Sequence, residues 1–136
     1  MIEDFVESGE VRFVYRHFIV ISENSLIAAM ATECSAEQDM FWEFHDTIFD
    51  KWVEARASGF SITWLREKAD SLDLDAVEFD ECMQSGRAFD RVRASHFDGI
   101  DRGINSTPTV LVNGNRVGGD YEAYRKAIEN ALAEAE

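Results

Sequence analysis

The chain has 136 residues, of which 46% are hydrophobic and 12% aromatic, so it can bury a core as one domain and is not a disordered tail. Its 27 acidic residues outnumber 13 basic ones, giving a formal net charge of −14 at pH 7. Such a surface repels phosphate groups, which argues against nucleic acid and anionic membranes as partners. No apolar run approaches the roughly 18 residues of a membrane span.

The first 18 residues predict the end of a helix followed by a strand. Residues 2–8 are typical of the last turns of a helix, and Gly9 stands at the position that favours left-handed backbone. Residues 11–18 are rich in aromatic and β-branched side chains, and Val11, Phe13 and Tyr15 alternate with the residues between them. This pattern predicts a strand.

From about residue 24 to residue 102 the sequence predicts five helices. Ser22 or Asn24 can cap the first, Ser61 can cap the third, and Asp75 with Glu78 has the capping-box spacing for the fourth. The second helix runs from about residue 38 and the fifth over 87–102. Apolar stripes at helical spacing lie on two of these helices: Phe41, Phe44, Ile48 and Trp52 on the second, and Phe89, Val92 and Ile100 with His96 on the fifth. We expect Trp42, Trp52, Trp64 and their phenylalanine neighbours in the core, with an exposed subset as the mark of an interface.

The last 30 residues predict a hairpin and a closing helix. Residues 107–112 form a short apolar strand, and Asn113-Gly114 is a strong signal for a two-residue hairpin turn. A return strand begins at Arg116, and Asp120 can cap the final helix. The order strand, helices, hairpin, helix predicts one mixed α/β domain over residues 1–136 with a long helical insertion at about 24–102.

Four segments in this order resemble the DsbA-like oxidoreductases of the thioredoxin fold. They are residues 9–18, similar to the strand after the active-site helix of that family, residues 31–46 and 79–86, similar to its helical insert, and residues 103–114, similar to its cis-proline loop. The resemblance covers essentially the whole chain. It implies an α/β thioredoxin-like fold with a DsbA-type helical insertion.

The resemblance also implies a binding site at Thr107 and Pro108. In this family the bond before the proline is cis and turns the N–H and C=O of the preceding residue outward, where they pair with an extended polypeptide. The expected partner is therefore an extended polypeptide substrate. Some family members also carry a second, non-catalytic disulfide in the helical insert, which makes Cys34 and Cys82 a possible structural bridge.

The chain departs from the family pattern at its front. The first, central strand and the catalytic Cys-x-x-Cys are expected before residue 1, because Cys34 and Cys82 are the only cysteines and lie 48 positions apart. Without that strand, the predicted strands at 11–18 and 109–112 lack a hydrogen-bonding neighbour. We expect one of three explanations: the gene starts upstream, the two strands pair directly, or a second copy covers the open edge in a homo-oligomer. With no secretory signal visible, we expect a cytoplasmic chain as given, or an extracytoplasmic one if the natural start lies upstream.

The residues themselves leave the state of the cysteines open. Neither Cys34 nor Cys82 stands at a helix start and each follows a glutamate, so a reactive thiol is disfavoured against a buried free thiol or a bridge. The three histidines lack metal-ligand spacing, and no phosphate loop is present, so we expect no metal and no cofactor. His45 and Asp46 look like a catalytic pair, but we expect adjacent helix positions not to face each other.

Three functions are compatible with these features. The first is a disulfide oxidoreductase of the DsbA family that is redox-inactive in this form. The second is a non-catalytic module that binds peptides or another subunit through the cis-proline loop. The third is a relative of the kappa-type isomerases and glutathione transferases, whose serine site falls in the same missing segment.

Overall fold

The protein is described from a computed structural model that covers residues 2–20 and 22–135, without the side chains of residues 2 and 3. The chain divides into two compact units. We call residues 17–103 the helical unit, and residues 1–16 with 104–136 the hairpin unit. The elements in chain order are a π-helical turn Ile2–Val6, α1 Glu23–Ala36, α2 Phe41–Asp50, α3 Trp52–Ala57, α4 Ile62–Ser71, α5 Ala76–Ser85, α6 Arg87–Asp101, β1 Val110–Val112, β2 Asn115–Val117 and α7 Tyr121–Ala135.

Helix α1 is the centre of the helical unit. Helices α2, α4, α5 and α6 all pack against it. Its buried positions carry small side chains, among them Ala28, Ala31 and Ser35, so its neighbours approach its backbone closely. The two buried hydroxyl groups are satisfied within the helix, because Thr32 Oγ1 donates to the carbonyl of Ala29 at 2.8 Å and Ser35 Oγ donates to that of Thr32 at 2.7 Å. A helix with small residues on several faces can thus be surrounded without leaving polar atoms unpaired.

Two of the three caps predicted in the helical unit are present, whereas Ser22, at the N-cap of α1, makes no side-chain capping hydrogen bond. Ser61 Oγ accepts from the backbone N–H of Trp64 at 3.3 Å, and Asp75 Oδ1 accepts from that of Glu78 at 2.9 Å. The second half of the capping box is supplied from elsewhere, because the Asp75 N–H donates to Gln38 Oε1 at 2.7 Å. This contact joins the start of α5 to the turn that follows α1.

The second predicted helix is two helices in the structure. It ends at Asp50, and α3 starts at Trp52 after a kink at Lys51, where ψ is 28°. The sequence has neither glycine nor proline at this point, so the kink left no local signal. The described part of the insertion therefore holds six helices, not the five predicted.

Of the three tryptophans expected in the core, one is buried there and two belong to the exposed subset that the sequence analysis left open. Trp64 is buried, whereas Trp42 and Trp52 each remain 41% exposed. Phe89 and Ile100 of α6 are also exposed, although Val92 on the same helix is buried. Helical spacing identifies residues that share a face, but it does not reveal whether a neighbouring element covers that face.

The hairpin was correctly predicted, in a shortened form. Val110 pairs with Val117 and Val112 with Asn115 around the two-residue turn. Asn113 and Gly114 both have positive φ, 48° and 83°, as a type I′ turn requires. Helix α7 packs against both strands, and its N-terminus is capped by Asp120, whose Oδ1 accepts from the N–H of Ala123 at 3.2 Å.

The prediction of a strand over residues 11–18 was wrong. These residues form neither strand nor helix, and within the described chain the sheet consists of β1 and β2. Direct pairing of this segment with the strand after Pro108, one of the three solutions considered above, is therefore not found among those residues. A strand exists only through its hydrogen-bonded neighbour, so an alternating pattern alone does not make one.

The turn before α7 depends on Gly119. Its φ is +123°, and a Cβ atom on it would lie 2.9 Å from the Cβ of Ala123. Because of the positive φ and this short distance, a side chain fits at position 119 only if neighbouring atoms move. The preceding Gly118 has nothing within 4 Å of the corresponding position.

We predict that Gly119→Ala lowers the free energy of unfolding by about 1–2 kcal/mol, because alanine has to adopt left-handed backbone there in addition to the clash. Gly118→Ala is the matched control and is expected to change it by less than about 0.5 kcal/mol. Urea unfolding followed by circular dichroism measures both. Equal effects of the two substitutions would contradict this role of Gly119.

Candidate functional site

The loop before β1 carries the two residues predicted to bind polypeptide. The peptide bond between Thr107 and Pro108 is cis, and both residues are exposed. Within residues 2–20 and 22–135, no hydrogen bond of the structure uses the N–H or C=O of Thr107. These two groups are thus available to a ligand.

Two side chains hold this loop against the hairpin. Thr109 Oγ1 donates to the carbonyl of Ser106 at 2.7 Å, which closes the loop over the proline. Arg116 of β2 reaches back, and its Nη2 donates to Thr109 Oγ1 at 3.3 Å. The threonine hydroxyl therefore links the loop to the second strand.

A surface depression of about 270 Å³ lies beside the loop. Its wall includes Pro108, Thr109 and Arg116, together with Gly118, Gly119 and Tyr124 from the start of α7. All of these residues belong to the hairpin unit. The depression is open and lined by both polar and apolar groups, a surface that suits a segment of chain more than an enclosed small molecule.

The second predicted site is a disulfide bond in the helical unit. Cys34 of α1 and Cys82 of α5 are joined, with their Cα atoms 5.6 Å apart. The two residues are only 0% and 1% exposed. The bond closes a long loop in the core, and neither sulfur can be reached by a thiol from solvent while the unit is folded.

Ion pairs tie α1 to α6 on the surface of the helical unit. Arg87 donates to Glu37 through Nε and Nη2, both at 2.8 Å. Arg91 bridges two carboxylates, with Nη2 2.6 Å from Glu37 and Nε 3.0 Å from Glu33. Behind them the buried His17 lies 3.0 Å from Glu33 through Nε2.

These contacts lower the pKa of both glutamates. The Arg87 guanidinium, followed by that of Arg91, lowers the pKa of Glu37 from 4.5 to about 2. The hydrogen bond with His17 holds the pKa of Glu33 below its usual value. Both groups thus favour the folded state only while they are ionised.

The histidines have structural partners. The backbone N–H of Ile19 donates to His96 Nδ1 at 3.2 Å, and Ser95 Oγ donates to the carbonyl of His17 at 2.9 Å. His45 and Asp46 do meet, with Nδ1 and Oδ1 2.9 Å apart, so the expectation that they do not face each other was wrong. In the part of the chain that is described, no three His, Cys, Asp or Glu side chains converge to hold a metal ion.

The structure places the predicted residues in different units, Thr107 and Pro108 in the hairpin unit and the cysteines in the helical unit. Arg116 and Tyr124 beside the loop were missed by the sequence reasoning, since neither lies in a recognisable motif. The adjacent Gly118 and Gly119 were a usable signal, because two glycines after a strand indicate a turn with unusual backbone angles.

A family model described as thioredoxin matches residues 1–130. The chain therefore belongs to the thioredoxin family. The crystal structure of Wolbachia pipientis alpha-DsbA1 has a TM-score of 0.78 to it at 21% identity, covering 98% of this chain and 74% of that one. The predicted fold class is confirmed: the chain has a thioredoxin-like fold similar to that of this DsbA protein, with a helical insertion.

Two groups of curated relatives are similar to the chain. The probable disulfide bond formation protein D of Bacillus anthracis is 25% identical over 139 residues, which are 96% of this chain and 62% of that protein. The Na(+)/H(+) antiporter NhaA 3 of Salinispora tropica is 36% identical over 138 residues, which are 98% of this chain and 20% of that protein. The chain thus spans a fifth of the antiporter and about three fifths of the Bacillus protein. Among the described residues, no helix is long and apolar enough to cross a bilayer.

We predict that replacing both cysteines, Cys34→Ala with Cys82→Ala, lowers the free energy of unfolding by about 4 kcal/mol, because the unfolded chain then gains the freedom of a loop of about 49 residues. Urea unfolding of the two proteins measures the difference. Dithiothreitol is expected to reduce the wild-type bond only at urea concentrations that unfold the helical unit. Rapid reduction of the native protein, followed by thiol titration, would contradict the burial of the bond.

We predict that Glu37 contributes stability above pH 4.5 that is lost as the pH falls towards about 2, because its pKa is lowered from the first value to the second on folding. Glu37→Gln removes this contribution, roughly 1 kcal/mol for a partly exposed network, so the variant is less stable at pH 7 and approaches wild type near pH 2. Thermal unfolding at a series of pH values measures it, with Glu67→Gln on the exposed face of α4 as control. A difference from wild type that does not depend on pH would disprove the linkage.

Proposed function

We propose that this chain is a DsbA-family domain that binds extended polypeptide along the Thr107–Pro108 loop and, in the 136-residue form, does not itself exchange disulfides. The observation that carries the first part is the exposed Thr107, whose backbone N–H and C=O have no partner among the described residues. An extended peptide can pair with both groups as an added strand.

The surroundings of the loop support binding of a peptide. Strand β1 begins three residues after Thr107 and is paired with β2 on one side. The depression beside Pro108 offers room for a side chain of the bound segment, with Tyr124 and Val117 as apolar wall and Arg116 at its edge. Main-chain pairing would then supply affinity, and the depression a preference for particular side chains.

The second part of the proposal follows from the state of the cysteines. Thiol–disulfide exchange needs a thiolate that can reach the substrate disulfide. The chain has two cysteines, and both are consumed in a bond whose ends are buried in the helical unit. The Bacillus relatives are named for disulfide bond formation, a reaction that requires a polypeptide to be held in place. This chain would keep the holding function.

We predict that Thr109→Val weakens the binding of an extended apolar decapeptide by about two- to tenfold, because valine keeps the shape of the side chain but loses the hydroxyl that fixes the loop. Amide chemical shifts of Thr107 and of Val110 to Val112 follow the titration. Thr47→Val is the matched control, since Thr47 Oγ1 donates to a backbone carbonyl at 2.7 Å in α2 of the other unit. The same peptide with N-methylated amides should not bind, because it cannot pair as a strand.

Reduction of insulin by dithiothreitol, measured on the same proteins, tests whether the chain exchanges disulfides. The wild-type chain is expected to give the background rate, and so is the variant without cysteines. Turnover above background that disappears with the cysteines would overturn redox inactivity without touching peptide binding. Shifts that are absent at Thr107, or equal in Thr109→Val and wild type, would instead overturn the binding site.

A second candidate function is an interaction module for a membrane transporter. The similarity to the Salinispora antiporter favours it, because the 36% identity extends over 98% of this chain while covering a fifth of that transporter. In this case the ligand of the loop would be a folded subunit and not an unfolded peptide. A homo-oligomer formed through the open edge of β1 also stays a prediction, to be decided by light scattering.

A further inference from the structure

Helices α2 and α3 expose a continuous row of apolar side chains. Trp42 and Trp52 are each 41% exposed, Phe49 56% and Val53 81%. His45 lies between Trp42 and Phe49 on α2, so that positions 42, 45 and 49 follow the spacing of one helix face. We call these five residues the aromatic face.

The rings of the aromatic face contact one another and also neighbouring rings of the chain, among them Phe41 and Phe60. The His45 ring centroid lies 5.5 Å from that of Trp42 and 4.7 Å from that of Phe49. Phe49 and Trp52 are stacked with an interplanar angle of 8° across the kink at Lys51. A partner would therefore meet side chains that are already held in place, which reduces the entropy lost on binding.

Most of the aromatic face lies outside the core of the helical unit, while Trp52 also contacts Phe60, which packs against that core. Helix α2 fills the core with Phe44 and Ile48 on its opposite side, and α3 with Ala55. Contiguous apolar side chains on a protein surface mark interaction sites more often than chance exposure does. The exposed part of the aromatic face is therefore a candidate docking surface.

The charges beside the aromatic face indicate what that partner carries. Glu43, Asp46 and Asp50 are exposed and follow the row along one side of α2. Neither Glu43 nor Asp50 forms an ion pair with any cation in the part of the chain that is described. The nearby Lys51 lies 3.7 Å from Glu54, so its charge is already matched. The row is bordered by carboxylates and attracts cations.

We propose that the aromatic face docks a cationic amphipathic helix of a partner protein. The spacing of 42, 45 and 49 is that of one seam in helix-to-helix packing, and α2 is about 15 Å long, enough for two to three turns of a partner. Leucine-like side chains of the partner would lie between the rings, and its flanking Lys or Arg would meet Asp46 and Asp50. A second copy of this chain is disfavoured by its charge of −14, and an anionic bilayer by the same repulsion.

Intrinsic fluorescence reads out docking, because Trp42 and Trp52 belong to the aromatic face while Trp64 is 7% exposed in the core. The probe is a 14-residue amphipathic helical peptide of leucine and lysine. We expect a saturable shift of the emission to shorter wavelength. Phe49→Ser should weaken binding by about tenfold or more, as for a residue at the centre of an interface. Val77 on α5 is an apolar residue that is 67% exposed and lies outside the aromatic face, so Val77→Ser should leave the affinity for the peptide unchanged.

Charge variants separate docking from general attraction to an acidic protein. Asp46→Asn with Asp50→Asn should weaken binding about tenfold, whereas Glu67→Gln with Asp70→Asn on α4 should have little effect. The proposal is overturned if Phe49→Ser binds like wild type, because net charge then explains the binding. It is also overturned if a leucine–glutamate peptide binds equally well. Two further results would overturn it: a shift of the emission by anionic vesicles when the leucine–lysine peptide causes none, or self-association in light scattering that Phe49→Ser abolishes. The substitutions lie in the helical unit and Thr109 in the other, so this test and that of the polypeptide site fail independently.

Discussion

The close packing of four helices around α1 is the constraint on which the helical unit depends. Alanine and serine at its buried positions let α2, α4, α5 and α6 approach the same segment, which bulky side chains would prevent. The disulfide fits into this arrangement, because Cys34 stands on α1 where α5 comes nearest. The surface ion pairs of Glu33 and Glu37 with Arg87 and Arg91 hold α6 to the same segment. The packed core, the disulfide bond and the ion pairs thus all attach neighbouring helices to α1.

Local signals in the sequence predicted the parts of the fold that are decided locally. The type I′ turn needs two residues that tolerate positive φ, and Asn113-Gly114 provides them whatever the rest of the chain does. The caps at Ser61, Asp75 and Asp120 are equally local, since each satisfies N–H groups within three residues. The family resemblance added the thioredoxin-like topology, while helical spacing had already indicated the long insertion at about 24–102.

Two of the errors about the fold arise where the outcome depends on a distant part of the chain. Residues 11–18 have the composition of a strand, but pairing requires a neighbour that no local pattern can supply. Trp42 and Trp52 have helical spacing, yet their exposure depends on which elements cover α2 and α3. For the candidate site, the sequence indicated Thr107 and Pro108 through the resemblance, while Arg116 and Tyr124 came into view only through the folded hairpin. The bond between Cys34 and Cys82 was one of three alternatives until their helices were placed.

The burial of the bond between Cys34 and Cys82 determines when its redox state can change. Sulfurs enclosed between α1 and α5 are out of reach of glutathione-sized reagents, so the bond can be made or broken only before the helices close or after they open. Its state is then fixed by the surroundings in which the chain folds and persists wherever the chain goes afterwards. The redox state of Cys34 and Cys82 in protein isolated from cells would therefore report the compartment of synthesis and folding, and not the compartment of residence.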